Sequence, residues 1–370
     1  MDPQAQFCPN FGCPARGRLG EKNIVIHSRK EKRFKCRVCG KTFTATKNTV
    51  FYWLRHEEEV VVRVVTLLAY GCPVQAIVAA FGLDERSVMS WEERAGKHCQ
   101  QVHEQLVQQP RDLEHVQADE IRVKAQKKVL WLAMAMMVST RLWLGAVVSP
   151  RRDTWLIIQL IRMVRLCALA RPLLLCVDGF KAYVSAIGCV FRTPLPIGKR
   201  GRPHLIAWPD IHIGQMIKQY QGKFVMGVLR RMAQGRLDMA QALITRSKAG
   251  TNINTAFIER LNATFRSRIA SLARRSRALL RNTDSLQPLV YLMGTVYNFG
   301  TYHQSLRLEG LIGGHKWIER TPAIAAGITD HLWTVEELLL YRIPPPTWQP
   351  PVHPGRRSAA EKALIARWCP

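Results

Sequence analysis

Acid is scarce in this sequence. Its 370 residues carry 27 Asp and Glu against 54 Lys and Arg, a formal net charge of +27. That excess of positive charge implies a polyanionic partner, most simply nucleic acid. A long apolar run is also missing. The most apolar stretch, residues 129–148, is broken by Ser139, Thr140 and Arg141 into two pieces of strand length, which argues against a membrane span. No amphipathic basic anchor stands out, so no membrane partner is expected. The polar N-terminus lacks the pattern of a secretory leader. A phosphate-binding loop of the G-x-x-x-x-G-K type is absent, which argues against chemistry driven by nucleotide hydrolysis. The ten cysteines do not form a disulfide framework: four cluster near the N-terminus and six are scattered singly. We expect a reduced, cytoplasmic, nucleoid-associated protein with one cysteine metal site. What the chain does have is 47% hydrophobic residues, enough for real cores and more than one domain.

The four clustered cysteines form two pairs, Cys8 with Cys13 and Cys36 with Cys39. Each pair sits on a knuckle, and together they offer four thiolates to a tetrahedral Zn²⁺. Short strands are expected at residues 23–27 and 33–36 between the knuckles. This pattern is a zinc ribbon. The first pair has four intervening residues where two are usual, which loosens that knuckle. Basic residues around the knuckles, among them Arg29, Lys30, Arg33 and Lys35, suit either phosphate contacts or plain solvation.

A helical run over residues 57–68 is followed by a second at 73–81, then by Gly82 and Asp84. Gly82 stops one helix and Asp84 caps the next. Two helices on so tight a turn read as a helix-turn-helix, with an ordinary helical hairpin as the plainer alternative. In the first reading the second helix recognises DNA and presents Arg86, Ser87, Ser90 and Arg94 outward.

The pattern then changes. Residues 115–124, 128–138 and 142–149 read as three strands, 152–170 as a helix, 173–177 as a buried strand, and 181–187 as another helix. This order is that of a ribonuclease-H-like core. Asp119 lies in the first of these strands, and Asp178 ends the fourth, where ligands of α/β sheets gather. The first and fourth strands are neighbours in such a topology, so both aspartates approach one point. Residues 254–268 then form a helix with apolar positions at Ile258, Leu261 and Phe265. Glu259, Asn262 and Arg266 share a second face beside that stripe. The helix is expected to bring Glu259 to the two aspartates. Glu120 adjoins Asp119, but strand alternation sends their side chains to opposite faces, so Asp119 is chosen. Hard carboxylate oxygens of this kind hold Mg²⁺ or Mn²⁺.

Residues 198–203 interrupt the core with a Gly-Lys-Arg-Gly-Arg-Pro string, in which Arg200 and Arg202 suit either an A·T minor groove or a basic surface loop. Residues 218–234 supply either further strands or a helix. His303 suits either a contact with a phosphate or the active site, or a capping or surface role. The fold class expected is α/β: a ribonuclease-H-like catalytic core, a mixed sheet with helices, at 114–310, preceded by a zinc ribbon at 1–50 and a helical helix-turn-helix domain at 51–110. A tail at 311–370 is expected to be loosely ordered beyond about Arg342.

Several strings together resemble the DDE-type insertion-sequence transposases, nearest to the insertion-sequence-one type and its zinc-ribbon relatives. They are RFKCRVCGKTF at 33–43, ADEIRVK at 118–124, CVDGFKAY at 176–183, NTAFIERLNATFRSR at 254–268, YNFGTYHQSLR at 297–307 and RTPAIAAGITDHLW at 320–333. The resemblance implies that Asp119, Asp178 and Glu259 are the catalytic carboxylates and magnesium ligands, with Asn262 and Arg266 in support. It further implies binding to the ends of a mobile element, metal-dependent nicking, transfer of the freed 3′-hydroxyl to target DNA, and assembly as a homo-oligomer on DNA. The alternative is a sequence-specific DNA-binding protein derived from such an enzyme without catalytic activity.

Overall fold

Period-two patterning and helical stripes both appear where residue type calls for them in the computed structural model, which describes residues 1–126, 128–195, 203–274, 278–280, 282–312, 315–350, 352 and 355–369. The chain divides into two compact units, Met1–Glu58 with Leu339–Pro370, and Glu59–Leu338.

In the first unit, β1 (Ile24–Ser28), β2 (Arg33–Cys36) and β3 (Thr42–Thr44) form an antiparallel sheet. Phe34 and Phe43 are cross-strand partners, and their rings stack at 5.8 Å. The expected loose tail is corrected here. Residues Ala359–Trp368 form a helix closed by a capping box between Ser358 and Glu361. Trp368 is buried in the same cluster as Cys13, Phe34 and Phe43. Arg342 donates to the carbonyl of Lys47, and Arg18 to that of Trp368. Burying one indole is worth about 2–3 kcal/mol, enough to tie down a proline-rich segment.

The second unit begins with α1 (Glu58–Ala69), α2 (Val74–Phe81) and α3 (Glu85–Leu106). As read from the sequence, Gly82 ends α2 in the left-handed conformation and Asp84 accepts from Ser87 N at the start of α3. Helix α3 runs 22 residues and does not stop at Arg94. Its buried stripe, including Trp91, Ala95, Cys99 and Val102, carries it on into the body of the unit. At Gly96 an added Cβ would lie 2.3 Å from Pro288 O, so only glycine lets the two segments come this close. The boundary expected at about residue 110 is therefore not a boundary between compact units.

The central sheet is built from β4 (His115–Lys124), β5 (Val129–Met137), β6 (Trp143–Ser149), β7 (Leu173–Asp178), β8 (Ile211–Gln221) and β9 (Phe224–Gln234). Its spatial order is β9-β8-β7-β4-β5-β6. Strands β4, β5 and β6 are an antiparallel meander, β7 runs parallel to β4, β8 runs parallel to β7, and β9 returns antiparallel. The segment left open between strands and helix at 218–234 is thus the hairpin of β8 and β9. Helices α4 (Thr154–Leu166) and α5 (Lys181–Val190) pack Leu160, Val164, Tyr183 and Ile187 with Ala118 and Leu175 on one face. On the other face, α6 (Leu237–Arg246) covers Leu174 and Cys176. There α7 (Ala256–Arg268) and α8 (Leu286–Gly300) cover Ile121, Leu132 and Met134. The coarse result is a mixed α/β unit with a six-stranded mixed sheet and helices on both faces. Among the described residues, no helix is long and apolar enough to cross a membrane.

Candidate metal centres and the acidic cleft

Among the described residues, two groups of side chains could hold a metal ion. The first is Cys8, Cys13, Cys36 and Cys39, whose sulfurs all lie within 4.8 Å of one another. Cys8 Sγ is 3.7 Å from Cys39 Sγ, and Cys13 Sγ is 3.9 Å from Cys36 Sγ. A tetrahedron of thiolates around an ion at about 2.3 Å has an edge of about 3.8 Å, so the four sulfurs fit. Burial raises the pKa of Cys13 to about 12 and raises that of Cys8 further. Bound metal offsets that cost by stabilising the thiolates.

The second group lies at the carboxyl end of β7. The parallel ladder between β4 and β7 ends at Gln117 and Cys176. Two residues further along each strand stand Asp119 and Asp178. Alternation sends both to the α7 face, because Ile121 and Val123 pack on that side of β4, and Leu174 and Cys176 on that side of β7. Oxygens of Asp119, Asp178 and Glu120 lie within 4.8 Å of one another. The inclusion of Glu120 corrects the sequence reading. Alternation holds, since Glu120 points to the α4 and α5 face with Ala118, but β7 stops at Asp178. Past that end a carboxylate from either face reaches the same space. Glu120 is 8% exposed, and its Oε1 is buried without a hydrogen-bond partner.

Glu259 lines the same cleft of about 590 Å³ as Asp119 and Asp178, together with Arg152, Lys218, Tyr220 and Thr255. It stands outside the close group of three. Its Oε1 accepts from Lys218 Nζ at 2.8 Å and from Thr255 Oγ1 at 3.1 Å. Burial, then the charge of Glu120, and to a smaller degree Asp178 and Glu259, raise the pKa of Asp119 to about 7. Burial and then Asp178 raise that of Glu120. The cleft thus concentrates negative charge that a cation relieves.

Among the described residues, Arg152 and Lys218 are paired with these acids. Arg152 donates through Nε and Nη2 to Glu120 Oε2, at 3.2 and 2.9 Å, and through Nη2 to Asp178 Oδ2 at 3.1 Å. Its guanidinium packs against Phe180 at 4.2 Å and Trp131 at 5.3 Å. Lys218 pairs with Glu259. Neither stood out in the sequence, because each is distant from its partners and belongs to no motif. The same holds for Gln117, which is fully buried. Its Oε1 accepts from the backbone N–H of Phe257 and Ile258, so it caps α7, where Thr255 makes no cap of its own. A buried glutamine two residues before Asp119, on the same face, was the available signal.

Asn262 donates through Nδ2 to Asp119 Oδ2 at 2.8 Å. Arg266 is half-buried, and its Nε has no partner. Burial, then Arg274, lower its pKa, while Asp119 and Glu259 act in the opposite direction. The residues expected to face DNA divide. Arg86 and Ser90 are exposed, whereas Ser87 and Arg94 are half-buried. Arg94 precedes Ala95 in the buried stripe of α3, and burial lowers its pKa. It is not turned fully outward. Arg200 and Arg202 lie outside the described residues. No family model matches the chain, and no curated protein matches it.

Proposed function

We propose that the chain is a DDE-type DNA transposase with a ribonuclease-H-like core. In this reading Asp119, Asp178 and Glu259 hold Mg²⁺ or Mn²⁺, and Cys8, Cys13, Cys36 and Cys39 hold structural Zn²⁺. The observation that carries it is the meeting of Asp119 and Asp178 past the end of β7, in one cleft with Glu259 on α7. The net charge of +27 supports a nucleic-acid partner. Held by these carboxylates, the metal would supply Lewis-acid activation of an attacking oxygen and charge stabilisation of the leaving one. The chain's own residues do the rest. Asn262 orients Asp119, Gln117 fixes the start of the helix that carries Glu259, and Arg152 and Lys218 offer cationic donors to a phosphate entering the cleft. In this reading Arg86 and Ser90, exposed on α3, contact the ends of the element, and the protein assembles as a homo-oligomer on DNA.

The second reading is a DNA-binding protein that uses the core as scaffold. Neutralisation of Glu120, Asp178 and Glu259 by Arg152 and Lys218 favours it. Incubating the protein with Mg²⁺ and a circular DNA carrying the sequences that flank its reading frame separates the two. Nicked and joined donor–target products support the transposase. Binding without any cut strand supports the second reading.

A further inference from the structure

A second cluster of cations sits on the neighbouring face of α7. Arg260 directly follows Glu259, about 100° around the helix, and is exposed. Arg141, in the turn between β5 and β6, stacks on the Phe257 ring at 3.9 Å and donates to the carbonyl of Val138. Arg268 lies over the Tyr70 ring at 4.8 Å. The His303 ring packs edge-on against Tyr297 at 4.7 Å, and the Tyr297 hydroxyl donates to Arg141 O at 3.2 Å. Arg260 lies one helical turn from Phe257, and the Tyr70 hydroxyl donates to Gly300 O at 3.3 Å, three residues before His303, so the group is a single cluster whose arginine charges act on both His303 and Tyr297.

Among the described residues, none of the three arginines forms an ion pair. The adjacent acid, Glu259, is engaged by Lys218 and Thr255. Arg268 Nη1 and His303 Nε2 are buried and have no hydrogen-bond partner. Half-buried guanidiniums without an acid are costly, and so are orphaned donors. Stacking on aromatic rings fixes their forks in place, the arrangement that suits bidentate recognition of a phosphate.

We propose that Arg141, Arg260, Arg268 and His303 form a binding site for a backbone phosphate of nucleic acid, separate from the carboxylate cleft. The proposal rests on the reading of DNA as partner and adds to it a holding point beside the cleft. Burial, and then the three arginines, lower the pKa of His303 to about 4, so at neutral pH its ring offers a neutral hydrogen bond and the arginines supply the charge.

The test is duplex binding by the full-length protein without added divalent ion, so that cleavage plays no part. The probe is a 30-base-pair duplex of arbitrary sequence, followed by fluorescence anisotropy over a range of KCl. Arg260→Gln, at an exposed position, and the double variant R141Q/R268Q are compared with the unmodified protein, with thermal melting as the check on folding. The slope of log affinity against log salt becomes shallower in each variant, by up to about one, the value for losing one phosphate contact. Unchanged slopes in both variants overturn the site while leaving DNA as partner intact. Failure of the unmodified protein to bind the duplex overturns both. Inorganic tripolyphosphate is the second probe. If its binding weakens in the variants while the duplex is unaffected, the site takes a small polyanion and the backbone assignment is overturned.

Discussion

Asn262 Nδ2 donates to Asp119 Oδ2 across 2.8 Å, and this contact joins the helix that carries Glu259 to the strand that carries Asp119. Gln117, two residues earlier on the same face of β4, accepts from the first turn of that helix. The two contacts set how far Glu259 stands from the aspartates. Asn262→Ala is expected to lower strand cleavage at saturating Mg²⁺ by about tenfold to a hundredfold, the usual cost of losing a residue that orients a metal ligand. Rates measured on one DNA substrate, with thermal melting as the folding check, decide this.

Arg152 occupies the space between Glu120 and Asp178 that a divalent ion would share. Replacing it with Gln removes a competing charge, so Mn²⁺ affinity measured by calorimetry without DNA is expected to rise about fivefold, the scale of one partly exposed ion pair. The same variant leaves Glu120 buried without its partner, so the metal-free protein melts at lower temperature. An unchanged or weaker Mn²⁺ affinity contradicts this account of the cleft.

Much of this was legible in the sequence, for stated reasons. Alternation from His115 to Lys124 marked β4 in full, and Gly82 with Asp84 marked the turn between α2 and α3. Local pattern was enough for these elements. It failed where the answer depends on what lies across space. Strand alternation placed Glu120 on the far face correctly but says nothing of where the neighbouring strand stops. Arg94 reads as outward from the first turns of α3 alone, but the buried stripe continues past it through Ala95, Cys99 and Val102. Pro344, Pro345 and Pro346 read as a loose tail, yet Trp368 beyond them is buried.

That last contact gives a stability prediction. Trp368→Ala is expected to destabilise the unit formed by Met1–Glu58 and Leu339–Pro370 by about 3 kcal/mol, the low end for deleting a buried indole. Urea unfolding followed by tryptophan fluorescence measures it. Cys13→Ser, or a strong chelator, is expected to unfold the same unit if it depends on its metal, with circular dichroism as the readout.

Acid should unfold the protein through its buried histidines. Burial lowers the pKa of His103 to about 4, and that of His115 to about 3, with Arg141 a smaller influence on the latter. In the unfolded chain both bind a proton near pH 6.5. Their contribution to stability is therefore complete above about pH 6.5 and is lost as pH falls toward the folded values. Asp119 acts in the opposite sense. Its folded pKa of about 7 makes stability fall as pH rises toward that value. His115→Gln isolates one histidine, and its stability should fall less steeply between pH 6.5 and pH 4 than that of the unmodified protein.

The central claim is that Asp119, Asp178 and Glu259 act together on a metal-bound phosphodiester. Its most direct test is Mg²⁺-dependent cleavage by Asp178→Ala, measured beside DNA binding by the same preparation. Cleavage is expected to disappear while binding persists. Cleavage at an undiminished rate, or cleavage that needs no divalent ion, would contradict the account.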